Sequence, residues 1–115
     1  MDSRLIDLIW AAENWDGNGT AKIDSEVVAR GMELINTLYE TSRQLRLQWH
    51  QPTVIANVQG EAVLEWWRRE KKLTVYVSHA QADYVKVWGA NIFDEMEDGL
   101  VDSQTTANIL QWLEA

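Results

Sequence analysis

The hydrophobic period changes once along the chain, and that change does most to limit the fold. Between Asp24 and Trp49, apolar side chains recur every three to four residues. Val28, Met32, Ile35, Tyr39 and Leu45 fall at helical spacing, and Val27, Leu34 and Leu38 widen the stripe. Asp24 is a good N-cap, and Glu26 sits in the first turn, where the helix dipole favours an anion. Gly31 weakens such a helix by about 1 kcal/mol relative to Ala, and its missing side chain permits close packing against another element. The helix is expected to fade before Trp49, because Gln51-Pro52 favours extended or turn backbone.

From Thr53 to Trp88 the period becomes two. Runs at residues 53–58, 62–68, 73–78 and 84–88 read as four strands with short connections, hence an antiparallel meander. A two-residue turn at Glu70 and Lys71 pairs Trp66 with Val75 and Leu64 with Val77. These side chains share one face, Val85 and Val87 fit the same face, and the long helix is expected to cover it. The opposite face then carries Glu65, Trp67, Thr74, Tyr76, Tyr84, Lys86 and Trp88. A slip of one residue exchanges the two faces.

The flanks add two helices. Ser3 caps a first one with Leu5, Leu8, Ile9 and Ala12 on one side, and it stops near Glu13 at the turn-forming stretch 14–19. After an acidic stretch at 94–98 and the breaker Gly99, Asp102 or Ser103 caps a last helix bearing Ala107, Ile109, Leu110, Trp112 and Leu113. The expected architecture is a single α+β domain over residues 1–115, with two N-terminal helices, a four-stranded antiparallel β-meander and a C-terminal helix.

Asn14-Trp15-Asp16-Gly17-Asn18-Gly19-Thr20, followed by a capped helix, resembles the "NWDGxGA" opening of a group of small bacterial proteins. In that group an "LEW" strand and a "LxVxV"-like strand follow, as do Leu64-Glu65-Trp66 and Leu73-Thr74-Val75-Tyr76-Val77. The resemblance spans roughly residues 5–89 and departs at Thr20, where the pattern has Ala, and at Ser25, where Pro is common. It implies a bacterial or phage origin and a recurrent fold, and it carries over no catalytic residue.

Composition narrows the chemistry. The absence of cysteine removes disulfides, thiol nucleophiles and cysteine-based zinc sites. A net charge of −8 opposes binding to a phosphate backbone, so no direct nucleic-acid binding is expected. The opening MDSRLIDLIWAA is acidic and its short apolar stretch is broken by charge, unlike a signal peptide. No run approaches the roughly 20 apolar residues that span a bilayer, so the expected location is the cytoplasm, away from the membrane.

Catalytic signals are sparse. His50 and His79 lack metal-ligand spacing, and neither phosphate-binding glycine motif occurs. The chain reads as a non-enzyme without a cofactor. Asp16, Asn18, Thr20 and Asp24 occupy positions 1, 3, 5 and 9 of a calcium loop, with Ile23 as the apolar eighth residue. However, Ala21 stands where that loop needs Gly and Val27 where it needs Glu. A helix-to-helix turn explains the segment better.

The excess of tryptophan, seven in 115 residues, points instead to recognition, because tryptophan gathers at core edges and interfaces. The expected partner-binding patch is Trp67, Tyr76, Tyr84 and Trp88 with Glu65 and Lys86 between them, unless the C-terminal helix covers it with Ile109, Trp112 and Leu113. The partner would be another protein or a second copy. The function expected is a protein-interaction module such as an antitoxin, immunity protein or inhibitor. One alternative is an acidic mimic of nucleic acid using Glu40, Asp94, Glu95, Glu97, Asp98 and Asp102, and another is a calcium-responsive domain with a degenerate EF-hand-like loop at Asp16, Asn18, Thr20 and Asp24. Arg68-Arg69-Glu70-Lys71-Lys72 is the one basic cluster and suits a solvated turn.

Overall fold

The computed structural model describes residues 25–91 and 93–115. Helix α1 spans Ser25–Gln44 and buries Val27, Gly31, Ile35, Leu38 and Ser42, one residue per turn along a single stripe. Ser42 is hidden at no polar loss, since its hydroxyl donates to the Tyr39 carbonyl at 2.7 Å. The helix ends in a Schellman motif. Leu47 N–H bonds the Ser42 carbonyl at 2.8 Å and Arg46 N–H bonds that of Arg43 at 3.1 Å. Arg46 takes the left-handed φ of 56° that glycine usually supplies there. The helix expected at 3–13 lies outside the described residues, as does the Asp24 cap.

Five strands follow: β1 Thr53–Ala56, β2 Ala62–Arg68, β3 Lys71–Val77, β4 Ala82–Val87 and β5 Met96–Leu100. All neighbours are antiparallel and the spatial order equals the chain order. The β1–β2 turn is set by Asn57, whose Oδ1 accepts from the N–H groups of Gln59 and Glu61, and by Gly60 at φ 79°. Helix α2, Thr105–Glu114, closes the chain.

Three expectations need correction. The β2–β3 turn falls at Arg69 and Glu70, so Leu64 faces Val75 and Trp66 faces Leu73, two residues from the expected register. An even shift keeps the faces, so both strands still turn the expected residues inward. Lys71 belongs to β3 because its ammonium reaches the carbonyls of Trp112 and Ala115 at 2.7 and 2.8 Å, tying the strand to the end of α2. The second correction is strand number, because the acidic stretch continues into β5. The third is β4, whose inward residues are Ala82, Tyr84 and Lys86, opposite Val77, Val75 and Leu73.

Both helices lie on this inner face. The core joins Val27, Ile35 and Leu38 of α1 and Ile109, Leu110 and Leu113 of α2 to Leu64, Trp66, Leu73, Val75, Val77 and Tyr84. Trp66 is 2% exposed, and its indole N–H donates to the His50 carbonyl at 2.8 Å. Trp49, in the linker before β1, stands edge-on to both Tyr39 and Trp66 and closes that corner. Among the described residues no helix is long and apolar enough to cross a membrane.

Candidate functional site

Strand alternation assigns every sheet residue to a face. Opposite the helices lie Ile55 on β1, Val63 and Trp67 on β2, Thr74 and Tyr76 on β3, Val85 and Val87 on β4, and Met96 and Leu100 on β5, with Val63 and Thr74 buried at the centre of the face. Among the described residues neither helix packs there, because the core of both helices draws only on the inner alternation. The expectation that α2 could cover the patch holds for one half of it: Ile109 and Leu113 enter the inner core with Tyr84, and Trp112 lies against Lys86 and Trp88, whereas α2 does not reach the face of Trp67 and Tyr76.

Trp67 is the most prominent side chain of the outer face, at 56% exposure. Its surroundings hold it. Lys72 Nζ stands 5.0 Å from the ring centroid and 3.1 Å from Glu65 Oε2, so a carboxylate fixes the cation that lies over the indole.

The six residues expected to form one patch divide three and three. Glu65, Trp67 and Tyr76 are on the outer face. Tyr84, Lys86 and Trp88 belong to the inner alternation, beside α2. There Glu97 Oε2 accepts from the Tyr84 hydroxyl at 2.9 Å and from Lys86 Nζ at 3.1 Å. Lys86 Nζ also sits 5.5 Å from the Tyr84 ring and 5.4 Å from that of Trp112, and Trp88 meets Trp112 edge-on at 6.2 Å. The valines looked like the core-facing pair because they are β-branched and apolar. The Tyr84–Lys86 alternation wins because the lysine stem packs on aromatics while its charge meets a carboxylate from β5.

The same contacts shift two groups. Burial first, then the bond to Glu97, raises the Tyr84 hydroxyl above its usual pKa. Hydrogen bonds from Lys86 and then Tyr84 hold Glu97 below the usual carboxylate range.

A second polar group joins the linker to α2. His50 Nε2 lies 2.9 Å from Arg68 NH1 and 3.0 Å from Glu114 Oε2. That nitrogen accepts from the guanidinium when it carries no proton and donates to the carboxylate when it does, so the two bonds exclude each other. His79 lies 3.3 Å from Glu26. Neither histidine lines the open cleft of about 320 Å³ that runs between α1 and the β3–β4 turn, bordered by Arg30, Glu33, Leu34, Gln81 and Val101.

The calcium-loop positions Asp16, Asn18, Thr20 and Asp24 lie outside the described residues. Among the described residues no group of three or more His, Asp or Glu side chains is placed to hold a metal ion. Of the acidic strip, Asp94, Glu95, Glu97, Asp98 and Asp102 gather on and around β5, whereas Glu40 lies on α1 and pairs with Arg43 at 3.5 Å. Sequence reading missed Met96 and Leu100 as outer-face residues. Their signal was the alternation Met96-x-Asp98-x-Leu100 inside an acidic run. Comparison with models of protein families, with characterised proteins and with solved structures found no match to this chain.

Proposed function

We propose that this chain is a non-enzymatic protein-interaction module of bacterial or phage origin, acting as an antitoxin, immunity protein or inhibitor does, by occupying a partner's surface. The observation that carries the reading is the contrast between two adjacent tryptophans on β2. Trp66 is 2% exposed in the core, while Trp67 is 56% exposed on the face opposite the helices, with Lys72 and Glu65 beside it. A large aromatic left in solvent adds nothing to the interior, and it suits the anchor of an interface. Tyr76 on β3 and Ile55 on β1 extend the same surface.

The experiment is affinity capture from the source organism's lysate with the tagged protein beside Trp67→Ala. A specific partner retained by the wild type and lost by the folded variant is the expected result. Equal capture by both proteins would place recognition elsewhere on the molecule. Capture of nothing by either would remove the basis of the reading.

A further inference from the structure

The β5 edge combines outward backbone groups, apolar side chains and a local excess of acidic residues. Trp88 N–H bonds the Glu95 carbonyl at 3.1 Å and Val101 N–H bonds that of Ala82 at 2.8 Å, on either side of a register in which Lys86 faces Glu97 and Tyr84 faces Gly99. In an antiparallel ladder, hydrogen-bonded pairs alternate with non-bonded ones. Glu97 and Gly99 therefore spend their backbone groups on β4, and Met96, Asp98 and Leu100 turn theirs outward, the Leu100 carbonyl already accepting from the Thr105 hydroxyl at 2.9 Å. Among the described residues no further strand pairs with them. Natural sheets usually blunt such an edge, and an open one is a template for a further strand.

The side chains of these three residues all lie on the outer face. Met96 is 41% and Leu100 52% exposed, with the exposed Asp98 between them. Phe93, in the turn just before β5, is 90% exposed. Charge selects the occupant. No Lys or Arg follows Lys86 in the chain, while Asp94, Glu95, Glu97, Asp98 and Asp102 lie on or beside β5. Lys86 reaches Glu97. A second copy adding its own β5 would bring the same carboxylates against these, which is unfavourable. A basic segment would neutralise them.

We propose that the β5 edge receives an extended basic segment of a partner protein, added as a sixth strand. The backbone of Met96 and Asp98 and the N–H of Leu100 supply the hydrogen bonds. On the outer face the incoming side chains alternate apolar, basic, apolar to meet Leu100, Asp98 and Met96. This deepens the interaction-module reading, rests on it, and names the class of partner.

The test titrates the whole protein with a short synthetic peptide that carries valine, lysine and valine at successive alternate positions with threonine between them, and with a counterpart that has glutamate in place of the lysine. Backbone amide shifts and calorimetry are the readouts. The lysine peptide should move the amides of Met96, Asp98 and Leu100 more than those of Glu97 and Gly99, and its binding should weaken with salt. Asp98→Pro removes one outward N–H without touching the β4 ladder, and proline is tolerated at such an edge position. It should weaken binding about tenfold or more.

Unchanged affinity in a folded Asp98→Pro protein would overturn the proposal, as would equal binding of the glutamate peptide or no binding of the lysine peptide. Should Asp98→Pro fail to fold, Asp98→Lys decides, and full binding by that variant overturns the idea. A wild-type dimer that Asp98→Lys turns into a monomer would make the occupant a second copy, against the proposal. Peptide binding lost in Trp67→Ala but kept in Asp98→Pro would move the contact from the edge to the face, sinking the edge proposal while sustaining the wider reading.

Discussion

Two glycines show how the same residue type can carry opposite instructions. Gly31 lies in the middle of α1 facing Ala62, and a Cβ placed on it would sit 3.7 Å from the Ala62 Cβ, an ordinary contact. Close packing was legible from the sequence, but the remaining room was not, because it depends on Ala62 being small. Gly31→Ala should therefore raise stability by about 1 kcal/mol through helix propensity. Gly99 on β5 is different. A Cβ there would stand 2.9 Å from the Tyr84 ring. That ring cannot withdraw easily, since its hydroxyl is bonded to Glu97 on the same strand. Gly99→Ala should cost about 1–3 kcal/mol by overpacking. Urea denaturation of the two variants checks both signs, and a loss of stability in Gly31→Ala would mean that α1 sits closer to β2 than described.

At the scale of elements, α2 depends on a cap that precedes it. Asp102 Oδ1 accepts from the backbone N–H groups of Gln104 and Thr105 at 2.8 and 2.9 Å, while Thr105 Oγ1 accepts from Asp102 N–H at 2.8 Å. The reciprocal pair is a capping box, and its hydrogen bonds hold the Asp102 carboxyl below the usual range, the Thr105 N–H contributing first. Glu97 is lowered too, mainly by Lys86. A carboxylate with a depressed folded pKa contributes stability that is present above its unfolded value and lost as pH falls through the folded one. Stability should thus hold above about pH 5 and decline below about pH 4. Asp102→Asn, combined with Glu97→Gln, should flatten that decline in denaturation curves taken across the acid range. An unchanged slope would mean that other carboxylates govern it. The Asp102 cap was visible in the sequence because aspartate before an apolar helical pattern is a local signal. Strand β5 was not, because Glu, Asp and Gly are poor strand formers and Met96-Glu97-Asp98-Gly99-Leu100 reads as a turn. That omission caused the misplacement of Tyr84 and Lys86, since the carboxylate that makes an inward Lys86 affordable stands on the strand that was not foreseen.

Among the described residues both helices lie on one side of the sheet and neither lies on the other. This arrangement follows from the alternation on β2 and β3, which the sequence states clearly: Leu64 and Trp66 with Leu73, Val75 and Val77 are all apolar, and their neighbours are mixed. Trp66 and Trp67 test it directly, being identical side chains one position apart on β2. Trp66 packs among Leu73, Val75 and the helices with its N–H on the His50 carbonyl, so its truncation leaves a cavity and an unpaired acceptor. Trp66→Ala should cost about 3–5 kcal/mol. Trp67 contacts solvent and the Lys72 ammonium, and Trp67→Ala should change stability by less than about 1 kcal/mol. Guanidinium denaturation of the two variants measures both. If β2 were slipped by one residue, the order would reverse, and the outer face, together with the interface it is proposed to form, would belong to the other side of the sheet. If both substitutions proved costly, the outer face would be covered, and Trp67 would hold the fold together instead of a partner.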